Sequence, residues 1–213
     1  MKILCVGYRE WAKKIYSKTK KKKGFSFYFH VRKKGLVNKI KKTNPNIILF
    51  YGWSWLIEKS IYEKYICFML HPSKLPKFRG GSPLQNQIIR GIKSSAVTIF
   101  KINDKIDGGD IYFQKKLSLE GTLHDIFNRI VEIGVLGTNK ILYEKPRIRK
   151  QNLRKSSFFK RIKESQSEIT SKELKNKSIL HIFNKIRMLS DPYPNPYLRV
   201  GRKKLIIKNI KIE

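Results

Sequence analysis

CFMLHPSKLPKFRGGSPLQNQIIRGIKSSAVTIFKINDKIDGG, residues 67–109, is the stretch whose reading decides the fold. An apolar run ends in His71 and is followed by a loop bracketed by Pro72 and Pro76, with Arg79, Gly80 and Gly81 near its end. Ser82-Pro83 reads as a helix start, serine at the N-cap and proline in the first turn. Leu84, Ile88 and Ile89 give that helix an apolar stripe, and Gly91 closes it. A β-branched run over Ser95–Lys101 reads as a strand, and Ile111–Leu117 as another, with Asp104–Gly109 as the turn between them. His71 and Asp107 therefore both lie at strand ends.

Working outward, the preceding segments alternate strand and helix. Lys2–Val6, Phe25–His30, Ile47–Tyr51 and Tyr65–Leu70 read as strands, and Glu10–Lys20, Gly35–Lys42 and Glu58–Lys64 as helices. This alternation predicts an α/β fold, a doubly wound Rossmann-like, mostly parallel sheet. Only Gly7 follows the first strand, so the G-x-G-x-x-G dinucleotide fingerprint is absent. Trp53 and Trp55 sit just beyond the third strand, as core or as the wall of a flat ligand pocket, because such sheets bind ligands at that edge. Thr122 with Asp125 forms a capping box for a helix reaching towards Tyr143. His30, His124 and His181 carry no pattern and read as surface residues.

After Pro146 the character changes. Arg147–Arg161 is basic without periodicity, a linker or an excursion across the first domain. Ser178–Leu189 is an amphipathic helix. Asp191–Pro196 contains three prolines and must be an extended turn, and Tyr197–Val200 with Leu205–Ile210 fits a hairpin. The expected division is residues 1–146 as the catalytic domain and 147–213 as a linker, helix and hairpin tail packed on it.

The chain has 213 residues, 40% of them hydrophobic, enough for one good core. Its formal net charge of +33 would attract nucleic acid, an anionic membrane surface or anionic substrates. No zinc-finger or basic-zipper spacing appears. Cys5 and Cys67 lie in apolar strands and read as core thiols. With no signal-peptide-like or membrane-spanning apolar run, a cytoplasmic protein is expected.

Read alone, His71 and Asp107 suggest a base or electrophile held by a carboxylate, able to move a proton or stabilise an oxyanion during attack on a carbonyl. No third ligand at a convincing spacing supports a metal site. Together, His71-Pro-Ser-Lys-Leu-Pro-Lys-Phe-Arg-Gly80, Pro83, Gly91, Val97-Thr98 and Asp107-Gly-Gly-Asp-Ile111 closely resemble the 10-formyltetrahydrofolate-dependent formyltransferase family. Its members act on methionyl-tRNA, glycinamide ribonucleotide or amino sugars. The likeness covers roughly residues 1–145 and continues in Ser167-Glu-Ile169 and Ile186–Pro194.

The resemblance implies 10-formyltetrahydrofolate as co-substrate and no metal. It puts the pterin against Ser54, Trp55, Leu56 and Ile57, with Ile102, Asn103, Asp104 and Asp107 closing the other side. His71 and Asp107 would flank the formyl carbon. Ser73, Arg79, Gly80, Gly81, Ser82 and Tyr193 are expected on the acceptor side. One position departs from the family: Met69 stands where an asparagine amide helps to bind the formyl oxygen, and a thioether cannot donate a hydrogen bond. Either a backbone N–H or Asn103 substitutes, or the enzyme is slow or inactive.

The chain stops before the C-terminal barrel typical of methionyl-tRNA formyltransferases. The favoured acceptor is therefore the primary amine of an anionic small molecule, a nucleotide-linked amino sugar of polysaccharide biosynthesis. Nucleic acid is less favoured, no membrane partner is expected, and the paired-strand tail is compatible with a homodimer. The alternatives are a methionyl-tRNA formyltransferase-like enzyme without the barrel, or a degenerate folate- or RNA-binding protein.

Overall fold

The computed structural model describes residues 1–144 and 147–212. The domain boundary expected at Pro146 lies outside the described residues. The first half follows the predicted alternation: β1 (Lys2–Val6), α1 (Glu10–Lys18), β2 (Ser26–His30), α2 (Leu36–Thr43), β3 (Ile47–Tyr51), α3 (Lys59–Lys64) and β4 (Ile66–His71). Helix α2 runs between Gly35 and Asn44, both left-handed at φ +81° and +44°, one residue later at each end than its sequence suggests. β5 (Arg79–Gly80), α4 (Pro83–Ile88), β6 (Ser94–Lys101), β7 (Ile111–Ser118) and α5 (Leu123–Tyr143) complete the main body.

The sheet order is β2-β1-β3-β4-β6-β7. The first four strands are parallel, whereas β6 runs antiparallel beside β4 and β7 antiparallel beside β6. A short turn can join β6 to β7 only in the antiparallel sense. β3 is buried along its whole length, as its unbroken apolar run requires of a central strand covered on both faces.

Alternation along β1 divides the core. Ile3 and Cys5 face the layer made by α1 and α5, and Leu4 and Val6 face that made by α2 and α3. α5 lies close because two residues lack side chains. A Cβ on Gly134 would sit 2.4 Å from Ile15 Cδ1, and one on Gly137 2.5 Å from Phe113 Cδ1. Its N-terminus carries the predicted capping box, Thr122 with Asp125. The buried Tyr16 hydroxyl lies 3.0 Å from the Val6 and Leu49 carbonyls and accepts the Tyr51 N–H at 3.0 Å, tying β1 to β3.

Beyond Pro146 the chain runs back across the sheet's carboxyl edge. Arg149 bridges to Ile111, and β8 (Phe158–Phe159) pairs in parallel with β5. α6 (Ser171–Asn176) and α7 (Ile179–Met188) follow, the latter capped by Ser178, whose side chain accepts the His181 N–H. The hairpin pairs β9 (Tyr197–Val200) with β10 (Lys203–Ile206). β10 starts two residues earlier than the apolar pattern predicts, because Gly201, at φ +58°, turns the chain sharply enough to pair Lys203 with Val200. No helix among the described residues is long and apolar enough to cross a membrane.

Candidate active site

The strand order reverses between β1 and β3, so the loops leaving their carboxyl ends part there and leave a crevice. Gly7 makes the approach close: a Cβ there would lie 2.0 Å from the Tyr51 carbonyl oxygen. The crevice widens into a cavity of about 570 Å³ lined by residues from six parts of the chain. Arg9 follows β1, Gly52–Leu56 follow β3, Met69–Pro72 and Gly80–Gln85 follow β4, and Phe158–Ile162 come from the returning segment. Ile106, Asp107 and Tyr193 complete the wall.

His71, the last residue of β4, is 5% exposed. Its Nε2 lies 2.8 Å from the Phe78 carbonyl. A carbonyl can only accept, so Nε2 carries a proton and Nδ1 is left as the nitrogen that can gain or lose one. Nδ1 faces Asp107 Oδ2 at 3.6 Å, which in turn accepts the Gly80 N–H at 2.8 Å. The sequence expectation that His71 and Asp107 meet is met by the fold. A proton taken up at Nδ1 would create an imidazolium beside a fixed carboxylate.

The chain holds Asp107 from several sides. Its own φ is +49°, a left-handed conformation uncommon for a residue with a side chain. The Gln151 side-chain amide donates to the Asp107 and Gly109 carbonyls at 3.0 and 2.7 Å. The Arg79 guanidinium grips the neighbouring Ile106 carbonyl, Nε at 2.7 Å and Nη2 closer still. Phe78 donates its N–H to Ser157 Oγ at 2.9 Å, and its ring stacks on Phe159 at 4.9 Å. The loop after β4 is thus pinned to the returning segment. Gly80 and Gly81 permit this contact, since a Cβ on either would lie 2.4 Å from the Phe159 carbonyl or 2.5 Å from the Arg161 nitrogen.

Trp53 and Trp55 line the same cavity as an aromatic wall, the indoles edge to face at 4.6 Å, and Tyr8 packs against both. Tyr8 shares a 2.6 Å hydroxyl contact with Ser54. The Arg9 guanidinium lies 4.9 Å from the Tyr8 and Tyr193 ring centres. A slot with flat aromatic surface on one side and backbone polar groups on the other suits a planar heterocycle.

Several sequence-predicted residues fall elsewhere. Asn103 is exposed, its side-chain oxygen accepting the Lys105 N–H at 3.0 Å, and with Ile102 and Asp104 it lines a separate cavity beside Tyr62 and Asp110. It is not beside His71, because the turn carries Ile106 and Asp107 inward and 102–104 outward. Met69 does line the His71 cavity, packed also against the apolar clusters of Phe50 and Phe100. Ser73 is fully buried, donating to the Lys77 carbonyl at 2.8 Å, and is not presented to the cavity. Ser82 lines the cavity as expected but does not cap α4 with its side chain; at φ +47° its hydroxyl accepts the Ile162 N–H at 3.1 Å. Ser54, Trp55, Leu56, Gly80, Gly81 and Tyr193 line the cavity as expected, whereas Ile57 packs on the core face and Arg79 acts through the Ile106 carbonyl. His124 is exposed; His30 and His181 are half-buried, and His30 Nε2 has no partner.

Residues that the sequence did not point to include Arg9, Gln85 and Phe158–Arg161. Gln151 and Ser157 join them behind the cavity wall. Among the described residues no three His, Cys, Asp or Glu side chains converge as a metal-ligand set.

Comparison with known proteins gives this arrangement its context. The family described as Formyl transferase matches residues 4–136, more than half of the chain. A methionyl-tRNA formyltransferase from Rickettsia prowazekii (strain Madrid E) is 32% identical over 183 residues, which are 83% of this chain and 58% of that protein. The chain thus spans well under two thirds of that curated relative's length. The solved methionyl-tRNA formyltransferase from Clostridium thermocellum superposes with a TM-score of 0.90 at 33% identity, covering 100% of this chain and 94% of that one. A 4-N formyltransferase from Francisella tularensis, 18% identical, superposes at 0.74 over 99% of this chain and 98% of its own, a likeness of fold alone.

Proposed function

We propose, on the premise that this chain belongs to the formyl transferase family, that it transfers a formyl group from 10-formyltetrahydrofolate to the primary amine of a methionyl initiator tRNA. The observation that carries this reading is the 33% identity and 0.90 TM-score to a methionyl-tRNA formyltransferase over nearly the whole of both chains. The net charge of +33 supports it, because phosphate neutralisation by lysine and arginine supplies most of the affinity for a polyanion. Arg9, Lys160 and Arg161 lining the cavity add local attraction.

In this reading the folate's heterocycle lies against the Trp53–Leu56 loop, supplying an activated formyl carbon. The amine adds to that carbon, the bond from carbon to the folate nitrogen breaks, and the proton lost by the amine leaves with the folate product. His71 is the group that moves this proton through Nδ1, and Asp107 stabilises the charged ring. Without an amide at Met69, the formyl oxygen takes its hydrogen bond from a backbone N–H, or from His71 Nδ1 once it carries the amine's proton.

The nucleotide-linked amino sugar expected from the sequence is the second reading, favoured by the 97% coverage of a solved sugar N-formyltransferase from Shewanella sp FDAARGOS_354. Purified protein offered 10-formyltetrahydrofolate with methionyl initiator tRNA, or with a panel of nucleotide-linked amino sugars, separates the two. The tRNA reading expects formylmethionyl-tRNA, with a KM that rises steeply from 50 to 200 mM salt. Formylated sugar with tRNA untouched would replace it by the second reading.

A further inference from the structure

We infer that the side-chain amide of Gln85 holds the acceptor in the His71 cavity, donating a hydrogen bond to the acceptor's carbonyl oxygen next to the reacting amine. This rests on the formyl-transfer reading above. Helix α4 carries three consecutive buried amides, Gln85, Asn86 and Gln87, at 2%, 6% and 1% exposure. Two are spent on the fold. Asn86 Nδ2 donates to the Gly81 carbonyl at 2.9 Å and reaches the Ser82 and Lys160 carbonyls. Gln87 Nε2 donates to the Pro72 and Pro83 carbonyls at 2.9 and 2.8 Å, and its oxygen accepts from Ser95.

Gln85 differs. Its Nε2 is buried without a hydrogen-bond partner, and the residue lines the cavity that holds His71 and Asp107. Buried donors left unpaired are rare because each forfeits its hydration. The other unpartnered buried atoms, on His30 and Gln151, belong to residues outside this cavity's wall. An unpaired donor on a side chain of the cavity wall is one that a ligand acceptor atom completes once the amide turns its N–H towards the cavity.

Position decides which ligand. The indoles of Trp53 and Trp55 suit the planar heterocycle, whereas α4 follows directly from residues 79–82, which the family resemblance puts on the acceptor side. An aminoacyl ester carries its carbonyl oxygen two carbons from the amine, so a single N–H···O=C bond restricts the amine's approach to the formyl carbon. Gln85 would therefore discriminate a charged from an uncharged tRNA end, which the phosphate contacts cannot do.

The full-length protein tests this with Gln85→Leu and Gln85→Glu, the second keeping the shape while removing the N–H donor. Formyl transfer is followed with methionyl initiator tRNA as the varied substrate, and tetrahydrofolate binding by tryptophan fluorescence. The expected result is a KM for methionyl-tRNA raised about tenfold, with folate affinity within twofold of wild type. Inhibition by uncharged initiator tRNA should be unchanged. If Gln85→Leu fails to fold, Gln85→Glu carries the same expectation. An unchanged KM in the folded variant, or a matching loss of folate affinity, overturns the assignment while wild-type transfer stands. Absence of transfer by the wild type removes the underlying reading and the assignment with it.

Discussion

Replacing Asp107 by asparagine removes a charge while nearly preserving shape. Asparagine can still offer a carbonyl oxygen to the Gly80 N–H, now held at 2.8 Å, so the turn should survive. What is lost is the attraction between the carboxylate and a ring protonated at Nδ1, 3.6 Å away. At an effective dielectric constant of about 20 that attraction is roughly 5 kcal/mol, and about half as much at a constant of about 40. If the ring gains its proton as the amine attacks, that energy is realised in the transition state. kcat should then fall by roughly 70- to 5,000-fold, while the KM for folate and the melting temperature stay close to wild type. The assay is steady-state formyl transfer, with circular dichroism to verify the fold. A kcat within threefold of wild type would refute the reasoning, since it would mean that no charge develops on His71.

Further perturbations follow from other parts of the structure. Gly81→Ala should part β5 from β8, because the new Cβ meets the Arg161 backbone at 2.5 Å; a loss of about 1–3 kcal/mol, read by thermal melting, should accompany a drop in kcat. Glu173 is pushed up by partial burial, but hydrogen bonds from Lys185 and the Thr170 N–H, with the Lys185 and His181 charges, outweigh that and hold its carboxyl below its ordinary value of 4.5. Its folded value is thus the lower one, so its stabilisation is present above about pH 4.5 and lost as pH falls through the folded value. Glu173→Gln should cost about 1 kcal/mol at pH 7 and nothing at the acid end, as measured by melts across pH. Burial pushes the Cys5 and Cys67 thiols up to about 12, so a thiol reagent at pH 8 should label neither in the native protein and both after denaturation.

The parts of the fold most legible in the sequence were those with a period. Ile47–Tyr51 and Lys2–Val6 announce buried strands through apolar runs, and Thr122 with Asp125 marks a helix start by side-chain chemistry alone. His71 and Asp107 could be paired because both terminate elements whose order fixes their place at the sheet's edge. The returning segment was opaque for the opposite reason. β8 has two residues and pairs with a strand that is 79 positions away, and Gln151 works through two backbone carbonyls. Neither leaves a periodic trace. Asn103 was misplaced because the nine-residue connection from β6 to β7 can direct successive side chains to either side, and only the backbone path decides which. Gln85 was hidden among its neighbours: three adjacent amides look alike until their hydrogen bonds are traced.

The central claim is that the His71–Asp107 cavity is where formyl transfer takes place. Single-turnover transfer from 10-formyltetrahydrofolate to methionyl initiator tRNA, comparing wild type with His71→Ala, tests it most directly. The account predicts formylmethionyl-tRNA from the wild type and a rate at least a hundredfold lower in the variant, with tetrahydrofolate still bound. Equal rates in the two proteins would contradict it.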